Sequence, residues 1–142
     1  MIYCTTWDWK AGITDSQGIV DLYKQWTGEE RTPENIFNKK TIIAKVANMG
    51  GISTLDRIVG VAELIVIDDW VWHRRWGLVE NVYVHKQYRR QGIGSQLMKH
   101  VESQAMALGC EFIKLTSRKE EGKALYRSLG YEEGSYFRKE LK

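Results

Sequence analysis

Proline is almost absent from this 142-residue chain, which has Pro33 alone. No Pro-rich linker can therefore divide it, and its length suits one domain spanning residues 1–142, large enough to bury a core without metal or disulfide staples. Cysteine is as scarce. Cys4 and Cys110 are too few and too far apart for a disulfide framework or a zinc site with local spacing. Both are expected to be reduced and buried, and neither lies near a His and base that would make it a nucleophile. The three histidines, His73, His85 and His100, are too scattered for a metal site, so none is expected. No stretch approaches the roughly 18 apolar residues of a membrane span, and the N-terminus lacks a basic region followed by an apolar core. A cytoplasmic location with no membrane partner is the expectation. Charge of one sign is missing too: 21 Lys and Arg against 18 Asp and Glu leave +3, short of the basic excess of a nucleic-acid binder. With 43% hydrophobic and 27% charged residues, the chain is an ordinary globular one.

What is present alternates between two periods. Ile2–Thr6 suits a first strand. Asp15 or Ser16 can cap a helix in which Ile19, Leu22, Tyr23 and Trp26 share a face, stopped by Gly28. Thr32-Pro33-Glu34 reads as the start of a second short helix carrying Ile36 and Phe37. Thr41–Ala47 and Ile58–Ile67 are β-branched runs around a Gly50-Gly51 turn, hence an antiparallel pair. Trp70, Trp72, His73, Arg74, Arg75 and Trp76 then crowd a connection into the strand Leu78–Val84. Ile93, Leu97, Met98, Val101, Ala105 and Leu108 mark one face of a long helix, with Lys99, His100, Glu102 and Ser103 on the wet side and Gly109 as the stop. Phe112–Thr116 reads as a fifth strand parallel to Leu78–Val84, because a helix separates the two. A short helix over Gly122–Leu129 ends at Gly130, and Tyr131–Glu133 with Tyr136–Leu141 can form a last hairpin.

The chemistry concentrates at the junction after Val84, where Arg89 and Arg90 stand directly before Gly92 and Gly94 at the start of the long helix. Backbone N–H groups and two fixed positive charges converge there, which makes an anion site. It is not a dinucleotide fingerprint, because Leu97 stands where a third glycine belongs and the loop is too long. It is not a nucleoside-triphosphate loop either, because Gly94-Ser95-Gln96 replaces the required Gly-Lys-Ser/Thr.

The string Arg89-Arg90-Gln91-Gly92-Ile93-Gly94, preceded by Val82-Tyr83-Val84, resembles the acetyl-CoA signature of the GNAT N-acetyltransferase superfamily. Leu115-Thr116-Ser117-Arg118-Lys119 is similar to that family's fifth strand. Ala124-Leu125-Tyr126-Arg127-Ser128-Leu129-Gly130-Tyr131 is similar to its late helix, with Leu125 in place of the usual Phe. The resemblance is dense from Leu78 to Tyr131 and architectural before that. It implies an α/β (α+β) fold: a mixed, mostly antiparallel central sheet in which the parallel fourth and fifth strands, Leu78–Val84 and Phe112–Thr116, splay, helped by a bulge near Asn81-Val82. It implies acetyl-CoA as the acetyl donor. Val82, Tyr83 and Val84 would bind the pantetheine arm, and Arg89, Arg90, Gln91, Gly92, Ile93, Gly94 and Ser95 would hold the pyrophosphate.

Acetyl transfer from a thioester to an amine needs a neutral amine, a polarised carbonyl and a proton for the departing thiolate. The resemblance implies Glu80, in Val79-Glu80-Asn81-Val82, as the base, and Tyr126 as the hydroxyl that returns a proton to sulfur. A small-molecule primary amine is the expected acceptor, attacked directly in a ternary complex, and a homodimer is a reasonable assembly. A non-catalytic acyl-CoA-binding module and a protein N-terminal or lysine acetyltransferase stay open, and a nucleic-acid-binding module is the weakest reading. For Trp70–Trp76, binding of an acidic or aromatic acceptor, binding of single-stranded nucleic acid, core capping and a dimer interface all remain open.

Overall fold

The computed structural model describes residues 1–8, 10, 13–33, 38–47 and 56–134. The helix expected from Thr32 through Phe37, the Gly50-Gly51 turn and the strand at Tyr136–Leu141 fall wholly or largely outside the described residues. The described elements run β1 (Ile2–Thr6), α1 (Ile13–Thr27), β2 (Lys39–Val46), β3 (Arg57–Asp69), β4 (Arg74–Val84), α2 (Ile93–Ala107), β5 (Ile113–Leu115) and α3 (Glu120–Ser128). A single 3-10 turn, Lys86–Tyr88, sits between β4 and α2.

The five strands lie in sequence order. β1 through β4 are antiparallel neighbours and β5 joins β4 in parallel, as the intervening helix requires. Both faces of the sheet are covered, which explains why Ile58–Leu64 of β3 is buried without the alternation of a half-wet strand. On one face, Ile93, Leu97, Met98, Val101 and Ala105 of α2 pack on Ile42, Ala44, Val59, Ala62, Leu64 and Val79. On the other, Ile19, Leu22 and Tyr23 of α1 pack on Ile43, Ile58, Val61 and Tyr83.

Several boundaries differ from the expectation. α1 begins at Ile13, so Asp15 lies in its first turn rather than capping it, and its carboxylate meets Lys45 of β2 at 2.8 Å. α3 begins two residues before Gly122. β5 is only three residues long, and Phe112 stacks on Trp76 instead, with centroids 5.8 Å apart. β3 runs on to Asp69 and β4 begins at Arg74, so Arg74, Arg75 and Trp76 belong to the strand and the tryptophan-rich connection shortens to a tip at Trp70–His73. Tyr131–Glu133 is irregular. Tyr131 is half-buried and donates to Glu102 (2.9 Å), while exposed Glu133 pairs with Arg127 (2.6 Å). Cys4 and Cys110 are free, as expected, but half-buried. His100 is half-buried as well and approaches Thr6 of β1, so the side of α2 expected to be wet is partly covered by the sheet edge. The expected stops hold: Gly28, Gly109 and Gly130 all have positive φ.

Candidate active site

The rungs between β4 and β5 run from Gly77–Ile113 to Val79–Leu115 and, among the described residues, go no further. Directly beyond, the β3–β4 register slips, with Val61 opposite Tyr83 but Glu63 opposite Glu80. The bulge expected near Asn81-Val82 is therefore present, and Asn81 takes a left-handed φ of +54°. Its effect on side chains is specific. Val79 faces α2 and Glu80 sits across from Glu63; the extra residue then resets the alternation, so Val82 and Val84 turn to the α2 side and Tyr83 to the α1 side.

The splay opens into a cavity of about 920 Å³. Its floor is the strand edge from Val79 to Val84, and one wall is the start of α2 at Gly92, Ile93, Gly94 and Ser95. Gly92 is the N-cap at φ +76°, with no side-chain hydrogen bond capping the helix. The first N–H groups of a helix have no partner within it, so this end presents donors and the positive end of the helix dipole to the cavity. Arg90, at φ +63°, adds a second left-handed residue two positions earlier. Gly94 answers a different need. A Cβ there would lie 3.0 Å from Leu125 of α3, so this glycine lets the two helices meet.

The opposite wall comes from Thr116, Ser117, Arg118, Lys119, Glu121 and Gly122. Here too a helix starts without a side-chain cap, at Lys119. Ser117 donates to the Lys119 carbonyl at 3.2 Å, and a Cβ on Gly122 would fall 2.4 Å from the Ser117 oxygen. Two helix N-termini thus border one cavity. This second wall was missed as a site in the sequence, although the string Leu115–Lys119 is similar to the GNAT family's fifth strand; a polar run between a strand and a helix was the local signal that could have marked it.

Of the residues expected to form the site, Glu80, Val82, Tyr83, Val84, Arg89, Arg90, Gly92, Ile93, Gly94, Ser95 and Tyr126 all line this cavity, and Gln91 alone does not. Arg89 is partly engaged elsewhere: its Nε donates to the Val84 carbonyl at 3.1 Å and its guanidinium lies 5.3 Å over the Tyr83 ring. Trp26 of α1 also borders the cavity, stacked on Tyr83 at 5.0 Å, although its spacing had marked it only as a core residue. Glu80, Thr116, Ser117 and Tyr126 also line a second cavity of about 870 Å³ on the far side of the splay, so the two spaces meet at these side chains. Burial raises the Tyr126 phenol above its ordinary value, which keeps it protonated and able to donate at neutral pH. Burial, with Arg57 and Arg89 nearby, lowers His85, so its ring is neutral at pH 7 and its Nδ1 accepts from the Gln87 N–H, capping the 3-10 turn. No residue from Trp70 to Trp76 lines the first cavity, and among the described residues no cluster of potential metal ligands occurs.

The family model described as an acetyltransferase (GNAT) domain matches residues 39–133, which span both walls and the bulged strand between them. The chain belongs to the GNAT acetyltransferase family. Solved GNAT structures share its fold over nearly the whole length. An acetyltransferase from Trypanosoma brucei aligns at TM-score 0.75 and 20% identity, covering 99% of this chain and 100% of that one. Glucosamine-6-phosphate N-acetyltransferase from Arabidopsis thaliana aligns at TM-score 0.76 and 15% identity, covering 99% and 98%. Thialysine N-epsilon-acetyltransferase from Bos taurus is 38% identical over 61 residues, a match covering 42% of this chain and 36% of that enzyme. The match thus spans only about a third of that curated relative's length. No helix among the described residues is long and apolar enough to cross a membrane.

The cavity suits the donor that GNAT enzymes use. A pyrophosphate needs several N–H donors with no side chain in front of them, and nothing lies within 4 Å of where a Gly92 Cβ would stand.

Proposed function

We propose that this chain transfers acetyl from acetyl-CoA to the primary amine of a small molecule, by direct attack with donor and acceptor bound together. The observation that carries this reading is the convergence of two uncapped helix starts and a bulged strand edge on one cavity, with Glu80 and Tyr126 where it meets a second. The α2 start, with Arg90, would hold the pyrophosphate through backbone N–H groups and charge. The peeled edge at Val82–Val84 would bond the amide-rich pantetheine arm as an added strand. The bound thioester supplies an activated acetyl group and a thiolate leaving group.

The remaining steps belong to side chains. An alkylamine with a pKa near roughly 10 arrives protonated, and Glu80 takes its proton directly or through water. Tyr126, neutral before the reaction, gives a proton to the sulfur as the C–S bond breaks, and the second proton shed by the nitrogen after the N–C bond forms restores the phenol. No residue needs to be acylated, and orienting the two reactants supplies much of the rate. Small-molecule amines are favoured because, among the described residues, neither cavity is lined by an acidic groove for basic protein tails; Lys114, Lys123 and Arg127 stand among the acids of the second.

Calorimetric titration with acetyl-CoA, followed by thiol release across a panel of amines, amino sugars, peptides and lysine-containing proteins, tests the reading. Saturable binding and release with at least one small amine are expected. Binding without release from any acceptor would make the chain a non-catalytic acyl-CoA module. Release only with peptides or proteins would move the acceptor to a macromolecule, and absence of binding would refute the donor.

A further inference from the structure

Glu63 is a carboxylate in the middle of the most buried strand, only 7% exposed. Three elements send it a partner. Lys39 of β2 stands 3.0 Å from Oε2, while Oε1 accepts from the Tyr23 hydroxyl of α1 (3.2 Å) and from the side-chain amide of Asn81 in β4 (3.3 Å). A buried ion pair of this kind adds little net stability over apolar residues of the same volume, so stability alone does not account for it. Asn81 suggests the reason. It is exposed, so packing does not hold it, yet it keeps a left-handed backbone at the bulge that turns Val82–Val84 toward the cavity. Asn tolerates that backbone better than most residues, and its amide is tethered to Glu63 across the strands. The register also sets Glu63 opposite Glu80, where two bare carboxylates would repel; Lys39 offsets the charge of the buried one.

We propose that Glu63 is a positioning residue of the acetyl-transfer site: through Asn81 it holds the β4 bulge, and with Lys39 it provides a charge-balanced neighbour for Glu80. This rests on the acetyl-CoA reading above. The effect is on geometry rather than chemistry, because Glu63 lines neither cavity at the splay.

The test measures the acetyl-CoA dissociation constant by calorimetry, alongside thermal midpoints, for the wild type, Asn81→Gly, Asn81→Asp, Glu63→Gln and the Asn81→Gly/Glu63→Gln double variant. Asn81→Gly keeps the left-handed backbone and removes only the tether, so binding should weaken about 3- to 10-fold with the midpoint moved by no more than about 3 °C. Asn81→Asp, which sets a carboxylate against Glu63, should weaken binding at least as much. The double variant should be no worse than the more damaging single one, because both break the same link. Unchanged binding in Asn81→Gly, additive losses in the double variant, or a lower midpoint with wild-type affinity would each overturn the proposal while leaving the donor assignment intact. Failure of the wild type itself to bind acetyl-CoA would overturn the functional reading and this inference with it.

Discussion

The two ends of the β3–β4 ladder have opposite fates. At the tip, Trp70 and Trp72 are 84% and 71% exposed, with Val71 between them, and ion pairs Asp68–Arg75 and Asp69–Arg74 brace the strands below. At the other end, around the bulge, Glu80 to Val84 are walled by the starts of α2 and α3. The tip has the more conspicuous composition, with aromatic and basic residues packed together, yet it borders no part of the first cavity. The quieter end lines the cavity. Residue type alone does not make a site; what matters is where chain ends, helix starts and broken rungs leave backbone groups without partners.

The largest test of this contrast is Tyr126→Phe. If the phenol donates to the leaving sulfur, turnover should fall roughly a hundredfold while acetyl-CoA affinity stays within about twofold; lost affinity with unchanged turnover would remove the role. Glu80→Gln should cost on the order of tenfold or more at neutral pH and recover in part at high pH, where the amine deprotonates without help. An identical pH–rate profile would argue against a base at this position. Gly92→Ala places a Cβ at φ +76°, where L-residues are strained by about 1 kcal/mol, so acetyl-CoA binding should weaken several-fold with a modest drop in thermal midpoint.

At the tip, Trp70→Ser with Trp72→Ser should leave turnover within about twofold and stability within about 0.5 kcal/mol. A large activity loss would bring the hairpin into acceptor binding and erase the contrast. The smallest effect comes from His85 and His100, both held below their ordinary value by burial. The unfolded chain then binds protons that the folded one refuses, so their contribution is complete above about pH 6.5 and declines as pH falls through the folded values. Thermal midpoints should drop over that acidic window, and His85→Gln should flatten part of the slope.

Much of this was legible along the chain. The periodicity of Ile93 to Leu108 marked α2, the glycine stops marked helix ends, and the Arg89–Gly94 string marked the turn into α2, because each depends on neighbours a few residues away. The first cavity takes in every expected site residue except Gln91. Less legible were the strand limits. The long pairing of Arg57–Asp69 with Arg74–Val84 drew Trp76 into the sheet and shortened the suspected loop to a tip, a cooperative ladder effect that single-strand propensity does not report.

By itself the sequence determined the strand–loop–helix junction at Val84 to Gly94, since left-handed turns, helix periods and fixed charges are properties of a local stretch of backbone. Only the tertiary structure decided what that junction faces. It brought the start of α3 opposite the start of α2, set Leu125 against Gly94, and joined Glu63 to Asn81, Tyr23 and Lys39. Those meetings depend on sheet register and on one extra residue in β4. Register is settled by burying both faces of the whole sheet at once, and no local stretch carries that information.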